Sequence, residues 1–159
     1  MLSGSAVTLS FGEFLLVTLV LMLWLGAVAL IDLRTLRIPD WLSLPLVATG
    51  LALSALSPMP VLAAHLIGAG VAFLLMAGFG ALHFRLRAVD GLGLGDAKLY
   101  AAAGAWLGWQ ALPLVLLIAA GGGLIWALVW RRAGQMAFGP WLALGFLLCW
   151  LGQGVSVYN

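Results

Sequence analysis

An all-α, polytopic membrane bundle is the fold this chain predicts, on three observations. Hydrophobic residues fill 65% of its 159 positions, and Asp, Glu, Lys and Arg together only 8%. A soluble globule of that length leaves too many residues at its surface to hide so much apolar side chain from water. Second, the apolar residues come in continuous runs rather than in period-two alternation, which points to helices and not to lipid-facing barrel strands. Third, most runs approach the ~20 residues needed to cross ~30 Å of hydrocarbon.

Six transmembrane segments are expected, at about 14–31, 41–56, 61–82, 95–109, 111–130 and 138–157, within a single domain over residues 1–159. No Lys or Arg precedes the first run, whereas a cleavable signal normally carries a basic start, so this run reads as a retained span. The second is closed by the breaker "SPMP" at 57–60 and the third by the arginines that follow it. The fourth is short, with its apolar part limited to Leu99–Trp109. It crosses only if the stretch "GLGLGD" at 91–96 also lies at membrane depth, as irregular backbone shielded by protein. "QALP" at 110–113 parts it from the fifth segment.

The loop charges orient these segments. Arg34 and Arg37 follow the first, Arg85 and Arg87 the third, Arg131 and Arg132 the fifth, and Lys98 opens the fourth. The opposite loops hold neither Lys nor Arg. By the positive-inside rule the basic loops are cytoplasmic and both termini lie on the other side. Asp32, Asp40, Asp90 and Asp96 share the basic side, and Glu13 faces away from it.

Several function classes drop out. A single cysteine, Cys149, excludes an intrachain disulfide or a cysteine-rich zinc module. The net charge of +2 comes from scattered basic residues that read as topology signals and not as a nucleic-acid patch. His65 and His83 lie near opposite ends of the third segment, too far apart along a helix to share a metal, and read as packing or interfacial residues. Gly104 and Gly108, and the run Gly121–Gly123, predict close helix contacts. Trp41, Trp106, Trp109, Trp130 and Trp141 fit an aromatic belt.

Asp32 ends the first segment and Asp96 opens the fourth, and charge is costly in this setting. Each alone reads as an interfacial cap or an arginine partner; Asp96 also suits the N-cap of a helix starting near Ala97. Taken together they offer chemistry. Two neighbouring carboxyls do not both ionise readily, so they share a proton. One then takes a proton from water while the other donates to a carbonyl or departing amine, the arrangement of aspartic proteases. Gly93 and Gly95 are placed to adopt positive φ and to let another backbone come close. Lys98 reads as snorkelling to headgroups or balancing Asp96. Pro39 and Asp40 read as the first turn of the second helix, and Asp90 as a solvated loop acid.

Three stretches resemble one family. "GLGLGDAKLYAAAGAWLGW" (91–109) resembles the G-x-G-D-x-K segment of the type IV prepilin peptidases, bacterial members of the GxGD aspartyl proteases. "LIDLRTLRIPDWLSLPL" (30–46) resembles their first motif, and "FGPWLALG" (138–145) their C-terminal Phe-Gly-Pro element. The resemblance implies a catalytic pair, Asp32 and Asp96, with Asp40 as structural acid after Pro39 and with Gly93, Gly95 and Lys98 shaping the site. It also implies a cofactor-free endopeptidase of the bacterial inner membrane with its active site near the cytoplasmic face. Its substrate would be a prepilin or pseudopilin with a basic leader and an apolar N-terminal helix, met in the lipid bilayer. The chain is similar to the short form serving Flp-type (tight-adherence) pili, and in plan to archaeal preflagellin peptidases. Longer members carry paired Cys-x-x-Cys motifs and N-methylate the new terminus; that expectation does not carry over to a sequence with one cysteine. Read without the resemblance, the residues leave two alternatives open: a proton- or ion-coupled transport subunit, and a non-catalytic assembly subunit of a secretion or pilus machine.

Overall fold

A computed structural model of the chain describes residues 10–57, 59–87, 93–130 and 137–158. Asp90, Gly91, Arg131 and Arg132, and the side chains of Arg87 and Trp130, lie outside what is described. Among the described residues there is no strand. The helices are α1 (Phe11–Thr35), α2 (Asp40–Ser54), α3 (Met59–Arg87), α4 (Leu94–Leu107), α5 (Leu112–Trp130) and α6 (Gly139–Tyr158), with a 3-10 turn at Trp109–Ala111. Among the described residues, three stretches are long and apolar enough to cross a membrane: Phe11–Thr35, Val61–Arg85 and Trp109–Val129. Asp40–Ser54 is a shorter apolar helix.

α1 starts before the apolar run does, because Ser10 and Glu13 cap it. The Ser10 hydroxyl accepts from the Glu13 N–H at 3.4 Å, and Glu13 Oε2 accepts from the Ser10 N–H at 2.8 Å. This reciprocal pair satisfies two of the donors that a helix start leaves unbonded. The helix also runs past Asp32, so that residue lies within α1 and not at its end. It stops where Leu36 turns left-handed, with φ 53°, and returns its N–H to the Asp32 carbonyl at 2.8 Å.

The helices sort into two trios. α4 is the middle member of one, between α2 and α3, and α6 is the middle member of the other, between α1 and α5. α4 packs on α6 and joins the trios, whereas α1 and α2 barely meet along their lengths despite the short loop between them. The outer helices turn leucines outward, among them Leu15, Leu19 and Leu23 on α1 and Leu117, Leu124 and Leu128 on α5. In lipid such faces need no cover.

α4 has the opposite character. Ala97, Leu99, Tyr100, Ala101, Ala102, Ala103, Gly104, Ala105 and Leu107 are all buried. Its 14 residues make a rod of only ~21 Å. Protein surrounds it, which is how so short a helix fits the bundle. Small side chains let neighbours come close: a methyl group on Gly68 of α3 would lie 2.7 Å from the Gly104 carbonyl oxygen. Gly108 shares that packing, its carbonyl carbon 2.9 Å from where the same methyl group would stand, and it also ends α4 at φ 78°, a backbone conformation that favours glycine. Gly122 does serve a close contact, against the Trp141 ring of α6.

The aromatic belt is only partly present. Trp41 and Trp109 are exposed. Trp106 turns inward and donates from Nε1 to the Leu46 carbonyl at 2.8 Å, and Trp141 lies over Gly122 and Trp126. Indole N–H groups in lipid seek an acceptor, and carbonyls of α2 flanking Pro45 provide it. Trp24 does likewise, to Leu42 at 3.1 Å.

Candidate active site

One end of the bundle collects the C-terminal end of α1, the loop 36–39, and the N-terminal turns of α2, α4 and α6. Asp32 is buried there, on the α1 face that also presents Leu21, Leu25 and Val28 inward. Its Oδ2 accepts from the Gly139 N–H at 2.9 Å. Gly139 is the first residue of α6, so the donor is one of the N–H groups that no helical carbonyl can reach. Pro140, next in line, costs the helix nothing in its first turn. The Phe-Gly-Pro element thus delivers a backbone donor onto an acid more than a hundred positions earlier in the chain.

Asp96 sits in the first turn of α4. The helix begins at Leu94 with Gly93 as its N-cap, so Asp96 is three residues inside and not the cap itself. Its Oδ2 accepts from the Gly93 N–H at 3.3 Å. Its Oδ1 is shut off from solvent and has no hydrogen-bond partner among the described residues. Leaving a buried acceptor unpaired costs about 1–3 kcal/mol, so this oxygen is free to accept from a group that enters the site. The Asp32 and Asp96 carboxyls lie within range of each other's charge. They come from different trios, and the structure brings them to one place.

The glycines behave differently from the sequence expectation. Gly93 is extended, with φ −76°, and Gly95 is helical; neither is left-handed. Residues 94–96 form a helical turn, not irregular backbone. The close approach does occur at Gly95, where a methyl group would lie 2.9 Å from Ile38 Cβ and 3.2 Å from both Ile38 N and O. At Gly93 it would make only ordinary contacts.

Lys98 pairs with Asp40 rather than with Asp96. Its Nζ bonds Asp40 Oδ1, tying α4 to the first turn of α2 just after the N-cap Pro39. Asp40 is 60% exposed, so this tie fixes geometry more than it adds stability. His65 lies at the far end of the bundle, its Nδ1 2.8 Å from the Ala105 carbonyl, and has no part in this cluster.

Two residues here were not singled out from the sequence. For Gly139 the available signal is a Gly-Pro opening an apolar run, which marks a helix start with free N–H groups. Ile38 gave a fainter one, a lone isoleucine between Arg37 and Pro39 in a charged loop.

The family model described as "Type IV leader peptidase family" matches residues 19–128, a stretch that holds both aspartates. The chain is 44% identical over 131 residues to the prepilin leader peptidase/N-methyltransferase of Escherichia coli (strain K12), covering 76% of this chain and 56% of that one. To the protein of the same name from Pectobacterium carotovorum subsp. carotovorum it is 40% identical over 148 residues, 87% of this chain and 52% of that one. For Aeromonas hydrophila the figures are 37% over 158 residues, 95% and 54%. The chain therefore spans about half the length of these curated relatives. No solved structure matches it. With the matched residues spanning more than half of its length, the chain belongs to the type IV leader peptidase family.

Proposed function

We propose that this chain is an aspartic endopeptidase that removes the basic leader of a prepilin, with Asp32 and Asp96 as its catalytic pair. The observation that carries the reading is that these two acids, one on each helix trio, stand at the same end of the bundle on either side of Ile38, with Asp96 Oδ1 buried and unpaired among the described residues. One carboxylate takes a proton from water as the water attacks the scissile carbonyl. The other, protonated, gives its proton to the departing amine, after which the pair is ready for another turnover. Gly139 and Gly93 orient the two carboxyls through their N–H groups. Pro39, Asp40 and Lys98 hold the loop beside them, and Gly95 lets that loop come close. The names of the relatives support the choice of substrate.

In this reading all six helices cross the inner membrane with both termini outside. Arg34, Arg37 and Arg85 belong to the end that holds the acids, which supports hydrolysis at the cytoplasmic face, where a basic leader remains. The substrate is an Flp-like prepilin: basic leader, scissile bond, then an apolar helix in the bilayer. The proposal covers hydrolysis only.

The test is a cleavage assay of the full chain in liposomes on such a substrate, comparing wild type, Asp32→Asn and Asp96→Asn. Wild type cleaves, and each variant, inserted and folded, loses at least ~1000-fold in kcat, as expected when an acid–base partner is removed. A folded Asp→Asn variant that retains wild-type turnover removes that residue from the pair.

A further inference from the structure

Ile38 is only 7% exposed, although it sits in a loop with Arg37 exposed on one side and Asp40 close by on the other. What buries it is specific. Its backbone and Cβ press against Gly95, the residue before Asp96. Its Cδ1 reaches the opposite way, to within 3.1 Å of where a Gly139 methyl group would stand. Gly139 is the residue whose N–H holds Asp32. One side chain therefore spans from the helix start that carries one acid to the helix start that holds the other.

The loop that bears Ile38 is fastened at both ends. Upstream, the Leu36 N–H bonds the Asp32 carbonyl. Downstream, Asp40 is tied to Lys98, two residues beyond Asp96. An isoleucine in this position makes a stiff insert, because branching at Cβ restricts χ1 and close-packed interiors yield little.

We propose that Ile38 is a positioning residue, a spacer wedged between the N-termini of α4 and α6 that sets the separation of the Asp32 and Asp96 carboxyls. It touches neither water nor substrate and acts through the two glycines. The idea rests on the dyad reading above and adds what holds that dyad at working distance.

The experiment uses the full chain in liposomes with the prepilin-like substrate, and reads kcat, KM and the pH profile of kcat for Ile38→Ala and Ile38→Val. Shortening the spacer misplaces the acids by about 1 Å, so Ile38→Ala loses roughly 100-fold in kcat. Ile38→Val, which lacks only the carbon facing Gly139, falls between it and wild type. KM stays within about twofold, since no substrate contact is removed. The width of the bell-shaped pH profile changes in both variants, because that width reports how strongly the two acids couple.

A purely structural residue would give less folded protein with wild-type kcat and bell width per active site, and that result overturns the spacer. If Ile38→Ala does not fold, Ile38→Val decides: wild-type kcat and bell width in that variant also overturn it. Wild type that cleaves nothing, or Asp32→Asn that still cleaves, overturns the dyad and takes the spacer with it. Active wild type with indifferent Ile38 variants overturns the spacer alone.

Discussion

A methyl group on Gly139 would stand 2.6 Å from Asp32 Oδ2, closer than carbon and oxygen can approach. Either the carboxylate turns away or α6 shifts, and both break the 2.9 Å bond that orients it. Gly139→Ala is therefore expected to cut kcat by about 100-fold, as a displacement of ~1 Å does, while the protein still inserts. Single-turnover cleavage with a circular-dichroism check would show this, and unchanged turnover would remove Gly139 from the site. At this scale the sequence was uneven. Asp32 and Asp96 stood out because charge is rare in the chain. The partner of Lys98 was hidden, since Asp40 lies 58 positions away and only the fold sets them side by side. Ile38 was hidden for a related reason: apolar residues are so common here that a buried one carries no signal.

Among the elements, α4 depends most on what surrounds it. Gly68 and Gly104 meet where α3 and α4 cross, and a methyl group on Gly68 would also lie 2.8 Å from the Trp109 nitrogen. Backbone atoms cannot move aside as side chains do. Gly68→Ala is expected to cost about 1–3 kcal/mol through overpacking. Gly70→Ala, on the same helix with nothing within 4 Å, should stay within about 0.5 kcal/mol of wild type. Thermal unfolding of the two variants in one detergent makes the comparison, and equal melting temperatures would contradict the proposed crossing. The G-x-x-x-G spacing pointed to α4, but to Gly108 as much as to Gly104. Both glycines lie against Gly68, as the spacing implies; what periodicity does not reveal is that Gly108 also ends the helix, which only its φ of 78° shows. Likewise the Ser10–Glu13 cap is readable in principle, but an apolar run marks the lipid-compatible part of a helix and not its capped first turn.

For the whole molecule, composition gives the membrane class, because no other solvent accepts so much apolar surface, and the continuous apolar runs give the helices. The grouping into two trios was beyond it. Which helix packs on which depends on Gly68 against Gly104, Gly122 against Trp141, and Trp106 against Leu46, contacts that join residues remote in sequence. The expectation that the fourth segment borrows an irregular loop to reach across the membrane came from treating each run alone against lipid. Once α4 is seen as wrapped by its neighbours, its length no longer has to match the hydrocarbon.

That wrapping has a consequence for the membrane itself. Asp32 rides on a helix of 25 residues that faces lipid, and Asp96 on one of 14 residues that scarcely does. A lipid-facing helix answers a thinner or thicker bilayer by tilting, at a fraction of a kcal/mol per Å of hydrophobic mismatch. α4 has no such handle. Bilayer thickness is then expected to shift one acid relative to the other, which would make the lipid an adjustable part of the proposed dyad. Turnover measured in liposomes of short, medium and long acyl chains should pass through a maximum, and a flat response would mean that the two trios move as one body.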